Sequence, residues 1–273
     1  MNQRVLLAHS LGWPNVARLA ISFRRAGFSV DVLAPRLHPV HAMRAPERTF
    51  VRRPRESEAS LRQAIEASKP QLIVPCDDCV VADLHALHGA LSKGADRSEP
   101  NWIAALIETS LGPSNSLALL ASRRRLGALS DSADVRMPRT DPIESLAELR
   151  DWARKHGTPA VLKLDGSWGG RDVVYFGDTA SLASAYFKIQ LRRSRWRRLR
   201  RSLLAGEVPS ARELLRPAPG VSVQSFVSGR LANCAVACWR GEVLTSVAAE
   251  VVQGHPKFGI ATVVRLVDGA AML

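Results

Sequence analysis

Within the first hundred residues, short apolar runs alternate with segments whose apolar residues recur at helical spacing, and this alternation restricts the fold more than any other feature. RVLLAH is a short apolar run and reads as a buried strand. NVARLAISFRRAG places Val16, Leu19, Ala20 and Phe23 on one helical face and stops at Gly27. SVDVLAP is the next strand, closed by Pro35. ESEASLRQAIEASKP is an amphipathic helix with Leu61 and Ile65 inward; QLIVP is a third strand, followed by CDD, and VVADLHALHGALSK is a further helix. Strands alternating with helices predict a parallel, doubly wound sheet whose ligands gather beyond the carboxyl ends of its strands. HSLGWPN, after the first strand, holds one glycine where a dinucleotide fingerprint would need three, so no dinucleotide site is expected there.

The turn-rich LGPSNS (111–116) marks a boundary, and the expected domains are 1–112 and 113–273. The second region mixes its elements differently, so the fold class is α/β with α+β character in the second half. SLALLASRRRLGALSDS reads as a helix, VRMPRT as an extended approach, and SLAELRDWARKHG as an amphipathic helix with Leu146, Leu149, Trp152 and Ala153 on one face and Gly157 as its stop. TPAVLKLDG is a strand, GSWGGRD a glycine-rich loop and DVVYFGD a returning strand. DTASLASAYFKIQLRRSRWRRLRRSLLAG is a long helix or a helix pair. VSVQSFVSG, ANCAVACWRG and EVLTSVAAEVV are expected to form one antiparallel meander turning at Gly229 and Gly241.

The loop GSWGGRD carries the clearest chemistry. Glycines let backbone N–H groups approach phosphate oxygens with no Cβ in the way. Lys163, on the strand entering the loop, adds a point charge. The loop is not a Walker A motif, since GxxxxGK[ST] is absent and a strand follows it. A glycine-rich hairpin turn would read the same way on these residues alone.

Five segments in order resemble the ATP-grasp superfamily, in the group of the carbamoyl-phosphate synthetase large chain and the carboxylate–amine ligases. They are LIVPCDD with VVADLHAL, SRRRLGALSDSADVRMPRT, VLKLDGSWGGRDV, VSVQSFVSGRLANCAVACWRGEVL and EVVQGHPKFGIATVVRLVD, and together they span nearly the whole chain. The resemblance implies a doubly wound domain preceding an ATP-grasp domain, with a small subdomain at about 140–223 and a large one beginning at 224. It implies ATP as the bound nucleotide, a small carboxylate as substrate, and C–N ligation through an acyl phosphate. Lys163 matches the lysine that meets the phosphates, and Gly166, Ser167, Gly169 and Gly170 match the loop that closes over them. Gln224 matches the residue whose side chain reads the adenine edge, and Ser225, Phe226 and Val227 the linker whose backbone faces the purine. The family's earlier nucleotide lysine falls on arginine here, Arg123 or Arg124, and Arg265 matches a basic residue near the acyl phosphate. The family holds magnesium through a late acidic residue and a closing Glu-x-Asn pair. No such pair occurs in these residues, and Glu250 and Asp268 lie outside one, so magnesium is expected from the family but its ligands are not found. The alternative expectation is a truncated or degenerate nucleotide-binding chain without catalysis.

Bulk properties fit these readings. The formal charge of +13 favours anionic partners. Its densest part, LRRSRWRRLRR (191–201), has seven arginines; it reads as a solvated helix face or, without an accompanying recognition motif, as a less favoured nucleic-acid patch. No run of eighteen apolar residues and no signal peptide is seen, so the expectation is a cytoplasmic protein that spans no membrane; a homodimer is left open. Cys76 and Cys79 form a CxxC, and Cys234 and Cys238 are spaced to share a strand face with Val236, expected to be a core face. His85 and His88 have helical metal-ligand spacing without a third ligand nearby, and His9 and Ser10 line the rim of the first sheet. One of Asp77 and Asp78 is expected to cap the next helix.

Overall fold

The computed structural model describes residues 3–94, 101–113, 116, 135–165, 172–194, 218–254 and 261–268. Among these, residues up to 116 form one compact unit and those from 135 onward a second.

The first unit alternates as its sequence demands: β1 (Arg4–Ala8), α1 (Asn15–Arg25), β2 (Ser29–Pro35), β3 (Arg48–Arg52), α2 (Ser57–Ser68), β4 (Leu72–Pro75), α3 (Asp78–Gly94) and α4 (Trp102–Leu111). The strands form one parallel sheet in the order β3-β2-β1-β4. Successive side chains of a strand point to opposite faces. Leu6 and Ala8 therefore join Leu61, Ile65, Ile73, Leu84 and Ile107 in one core, whereas Val5 and Leu7 join Val16, Ala20, Val30 and Val32 in another. The sheet is doubly wound, as expected. RTFVR, which the apolar pattern passes over, supplies β3; it is an edge strand with arginine at both ends. α4 lacks a polar stripe and so shows little helical period, yet buries Ile103, Leu106 and Ile107.

Asp31 is a charged residue inside β2 with no exposed surface. Its carboxylate accepts from Arg48 Nη2 at 2.7 Å, Ser68 Oγ at 2.7 Å, the Arg48 backbone N–H at 3.1 Å and Arg4 Nη1 at 3.2 Å. Arg48 also donates to the carbonyls of Ala67 and Ser68, so the cluster binds β1, β2 and β3 to the end of α2. A cation over helix C-terminal carbonyls is favourable for the same reason that an anion suits an N-terminus.

The second unit contains β5 (Thr140–Pro142), α5 (Leu146–His156), β6 (Ala160–Leu164), β7 (Val173–Phe176), α6 (Thr179–Arg193), β8 (Val221–Ser225), β9 (Ala232–Trp239), β10 (Glu242–Gly254) and β11 (Ala261–Val267). α5 opens on a Ser145 side chain accepting from the Glu148 N–H at 3.1 Å, and α6 on a capping box of Asp178 and Ser181. One antiparallel sheet runs β5-β8-β6-β7 and a second runs β11-β10-β9. The expected meander is corrected here. VSVQS does not continue into ANCAVACW as a hairpin, because β8 inserts between β5 and β6, and ATVVRLV supplies the third strand of the other sheet, beside β10 and across it from β9. Alternation assigns a strand its faces but not its neighbours.

One face of the β5-β8-β6-β7 sheet packs on α5 and α6. Leu162, Leu164, Val174, Phe176 and Val223 from the strands meet Leu149, Trp152, Leu182 and Ile189 from the helices. Each fully buried side chain of this size contributes roughly 1.5–3 kcal/mol. The second sheet is different. Cys238 and Val236 are exposed and Cys234 is half-buried, so the expected core face on β9 is not one among the described residues. All four cysteines are free thiols.

Arg240 and Gly241 join β9 to β10 in a two-residue loop, with Trp239 opposite Glu242 and φ of 51° and 87°. Positive φ at both positions is what a tight hairpin requires, and it strains arginine but not glycine. Arg240→Asn, which relieves that strain, is expected to stabilise the hairpin by about 0.5 kcal/mol. Slower amide hydrogen exchange along β9 and β10 would register it.

Candidate functional site

The register across the four-stranded sheet of the second unit decides which residues share its other face. Tyr175, Val161, Gln224 and Thr140 stand opposite one another on β7, β6, β8 and β5, forming one continuous rung. Val173, Lys163, Ser222 and Pro142 form the next rung on that face. This face mixes the aliphatics Val161 and Val173 with Thr140, Lys163, Ser222, Gln224 and Tyr175, and Tyr175 is 55% exposed.

Three side chains are linked across it. Gln224 Oε1 accepts from Lys163 Nζ, and Gln224 Nε2 donates to Thr140 Oγ1 at 2.7 Å. Thr140 Oγ1 in turn donates to the Pro138 carbonyl at 2.9 Å. Gln224 thus holds the Lys163 ammonium near the end of β6. Just past β8, Phe226 meets Tyr175 edge to face with ring centroids 5.2 Å apart. A half-open aromatic pair beside a lysine offers an apolar surface and a phosphate partner within one small area.

The linker after Gln224 is partly committed within the sheet. The Ser225 N–H donates to the Arg139 carbonyl at 3.0 Å, and the Phe226 N–H donates to the Pro159 carbonyl at 3.1 Å. Of the three linker residues, Ser225 and Phe226 therefore have their N–H groups taken up within the second unit. The side chains of Phe226 and Val227 are exposed. Arg265 lies on β11 opposite Glu250, whose carboxylate accepts from Arg230 Nη1 at 2.8 Å. Gly166, Ser167, Gly169, Gly170 and Arg123 lie outside the described residues, as does most of 191–201. Tyr175 and Thr140 were not anticipated; the only signal in the sequence was the alternation of DVVYF, which opposes Tyr175 to buried Val174 and Phe176.

Among the described residues no three His, Cys, Asp or Glu side chains are grouped to hold a metal ion. His88 Nε2 lies 3.1 Å from Glu108 Oε1, tying α3 to α4 rather than pairing with His85 on a metal.

In the first unit the carboxyl ends of β1 and β4 bring together Ser10, His9 and Asp77. Asp77 caps α3, accepting from the Val80 N–H at 3.0 Å, and also accepts from the Ser10 N–H at 2.6 Å and Ser10 Oγ at 2.8 Å. His9 Nδ1 approaches the same carboxylate at 2.9 Å. Burial raises the Asp77 carboxyl, but these donors outweigh it and hold it at about 2. Burial, helped by the Asp77 charge, pushes the neighbouring Cys76 thiol up to about 12, so it is not a thiolate nucleophile at neutral pH. Among the described residues no helix is long and apolar enough to cross a membrane.

No protein-family model matches the sequence, and no curated protein matches it. Solved structures do share its fold. The biotin carboxylase domain of Hydrogenobacter thermophilus 2-oxoglutarate carboxylase, a dimer in complex with MgADP, ADP and bicarbonate, matches with a TM-score of 0.61 and 13% identity over 93% of this chain and 51% of that one. The N5-carboxyaminoimidazole synthetase of Staphylococcus aureus complexed with ADP matches with a TM-score of 0.59 and 12% identity over 100% of this chain and 61% of that one. The N5-carboxyaminoimidazole ribonucleotide synthetase of Thermus thermophilus matches with a TM-score of 0.57 and 17% identity over 94% and 56%. The chain spans 51–61% of the length of these structures.

Proposed function

We propose that this chain, which has the ATP-grasp fold, binds ATP on the face of the β5-β8-β6-β7 sheet turned away from α5 and α6 and takes part in ATP-dependent carboxylate–amine ligation. The observation that carries the reading is the Thr140–Gln224–Lys163 chain of hydrogen bonds beside the Tyr175–Phe226 pair. In this reading 1–112 is the preceding domain, 140–223 the smaller nucleotide wall, and 224 onward the start of the larger one. Lys163 would meet the phosphates, Gln224 the adenine edge, and the carbonyls and Val227 of the linker the rest of the purine. Gly166, Ser167, Gly169 and Gly170 would close over the phosphates.

The fold is shared with enzymes crystallised with ADP and, in one case, bicarbonate, which supports a nucleotide and a small carboxylate as ligands. In the proposed reaction a carboxylate oxygen attacks the γ-phosphorus and displaces ADP, giving an acyl phosphate. An amine nitrogen then attacks the acyl carbon, the C–O bond to phosphate breaks, and phosphate leaves carrying the proton that the nitrogen gives up. Activation is needed because a carboxylate oxygen is a poor leaving group until phosphorylated. The chain's own residues supply position and charge, and Arg265 is assigned to the acyl phosphate.

Lys163→Ala tests the reading. A charge-assisted bond of 1.5–3 kcal/mol implies that ATP affinity falls about 10- to 100-fold, with the fold intact because the side chain lies outside the core cluster. Titration calorimetry with ATP would read this, and unchanged affinity would remove the reading. Phosphate release with mixed carboxylates and amines separates a ligase from a binder without catalysis.

A further inference from the structure

We propose that Thr140 sets the purine preference of this face by fixing which end of the Gln224 amide points toward the nucleotide. The inference rests on the ATP reading above and concerns a residue to which that reading gives no part. Thr140 Oγ1 has one hydrogen, and it is committed to the Pro138 carbonyl at 2.9 Å. The oxygen can therefore only accept, and what it accepts is the Gln224 Nε2 hydrogen at 2.7 Å. A flipped amide would set Oε1 against that lone pair and leave Nε2 facing the Lys163 ammonium, so both ends of the amide oppose the flip. Once Lys163 engages a phosphate, Thr140 is the lock that remains.

β5 is well placed to hold this hydroxyl still. Its next residue, Asp141, points to the helix side, where its carboxylate accepts from Trp152 Nε1 at 2.7 Å and from Arg139 Nε at 2.9 Å. Thr140 stands directly opposite Gln224 in the ladder, so the hydroxyl and the amide are cross-strand neighbours.

With the amide fixed, the end of Gln224 on the Lys163 side is a carbonyl oxygen, an acceptor only, and this is the end assigned to the purine. That matches the 6-amino group of adenine, a donor, and opposes the 6-oxo group of hypoxanthine or guanine, an acceptor. A free amide could rotate to donate to the oxo group, and the discrimination would shrink. A site built to hydrogen-bond one group rejects its counterpart because a buried polar atom is left unpaired.

The test compares ATP with ITP, which differ at this position, by direct binding to the wild type, Thr140→Val and Thr140→Ser. Valine keeps the shape and the strand preference of threonine but cannot accept. The wild type is expected to prefer ATP by about tenfold or more, Thr140→Val to lose most of that preference mainly through tighter ITP binding, and Thr140→Ser to restore it. ATP binding with the same ATP-to-ITP ratio in Thr140→Val, or with no preference in the wild type, overturns the assignment to Thr140 alone. A wild type that binds neither nucleotide overturns the ATP reading and this inference with it. Circular dichroism of each variant separates a lost preference from a lost fold.

Discussion

Asp31→Ala is expected to destabilise the first unit by about 3–5 kcal/mol, the largest single-residue effect anticipated in this protein. The carboxylate is fully buried, and Arg4, Arg48 and Ser68 all converge on it. Alanine would leave the Ser68 hydroxyl and the Arg48 N–H without their acceptor and would leave the Arg48 and Arg4 guanidinium groups without the carboxylate that they share. Asp31→Asn keeps one acceptor oxygen and should lose less. The measurement is hydrogen exchange at the amides of β1 and β2 across a urea series, which isolates this unit from the other. A loss below about 1 kcal/mol would show that the cluster is worth no more than a surface pair.

Asp77 should make the stability of the same unit depend on acid. Its carboxyl lies at about 2 when folded against an ordinary value of 3.8. A depressed carboxyl stabilises the fold above its unfolded value, so this contribution is complete above about pH 4 and is lost as pH falls through the range from 3.8 to 2. The gap corresponds to about 2 kcal/mol at neutral pH. In Asp77→Asn the ionised cap is gone, and the stability difference from the wild type should be near that figure at pH 6 and shrink toward zero by pH 2. Urea midpoints measured along that series give the comparison. A difference that stays constant with pH would mean that the side chain acts through shape and neutral hydrogen bonds only.

Much of the fold was legible before any coordinates. Gly27 and Gly157 lie just past the ends of α1 and α5 at φ of 89° and 81°, a region that favours glycine, so the helix ends were written locally. Leu149, Trp152 and Ala153 are buried as their spacing required. β3 was missed because an edge strand flanked by arginine shows no apolar run, and α4 because a helix apolar on most sides shows no period. The nucleotide face was legible only in part. Lys163 and Gln224 came from a resemblance between segments, 61 residues apart, and the structure joins their side chains. Thr140 was invisible because a single threonine in an extended stretch carries no signal until its partner is known.

What the sequence determined by itself is therefore the set of elements and the two faces of each strand, because side-chain period, helix stops and caps are local properties of the backbone. Strand partnership was decided by the tertiary structure. β8 could have continued into a meander with β9, and Gln224 would then have stood far from Lys163; its insertion between β5 and β6 places Thr140 on one side of the amide and Lys163 on the other. Any strand offers the same row of N–H and C=O groups to any neighbour, so its own residues do not name the partner. The choice falls to the long-range ladder and to the core of Leu162, Phe176 and Val223 that the ladder closes against α5 and α6.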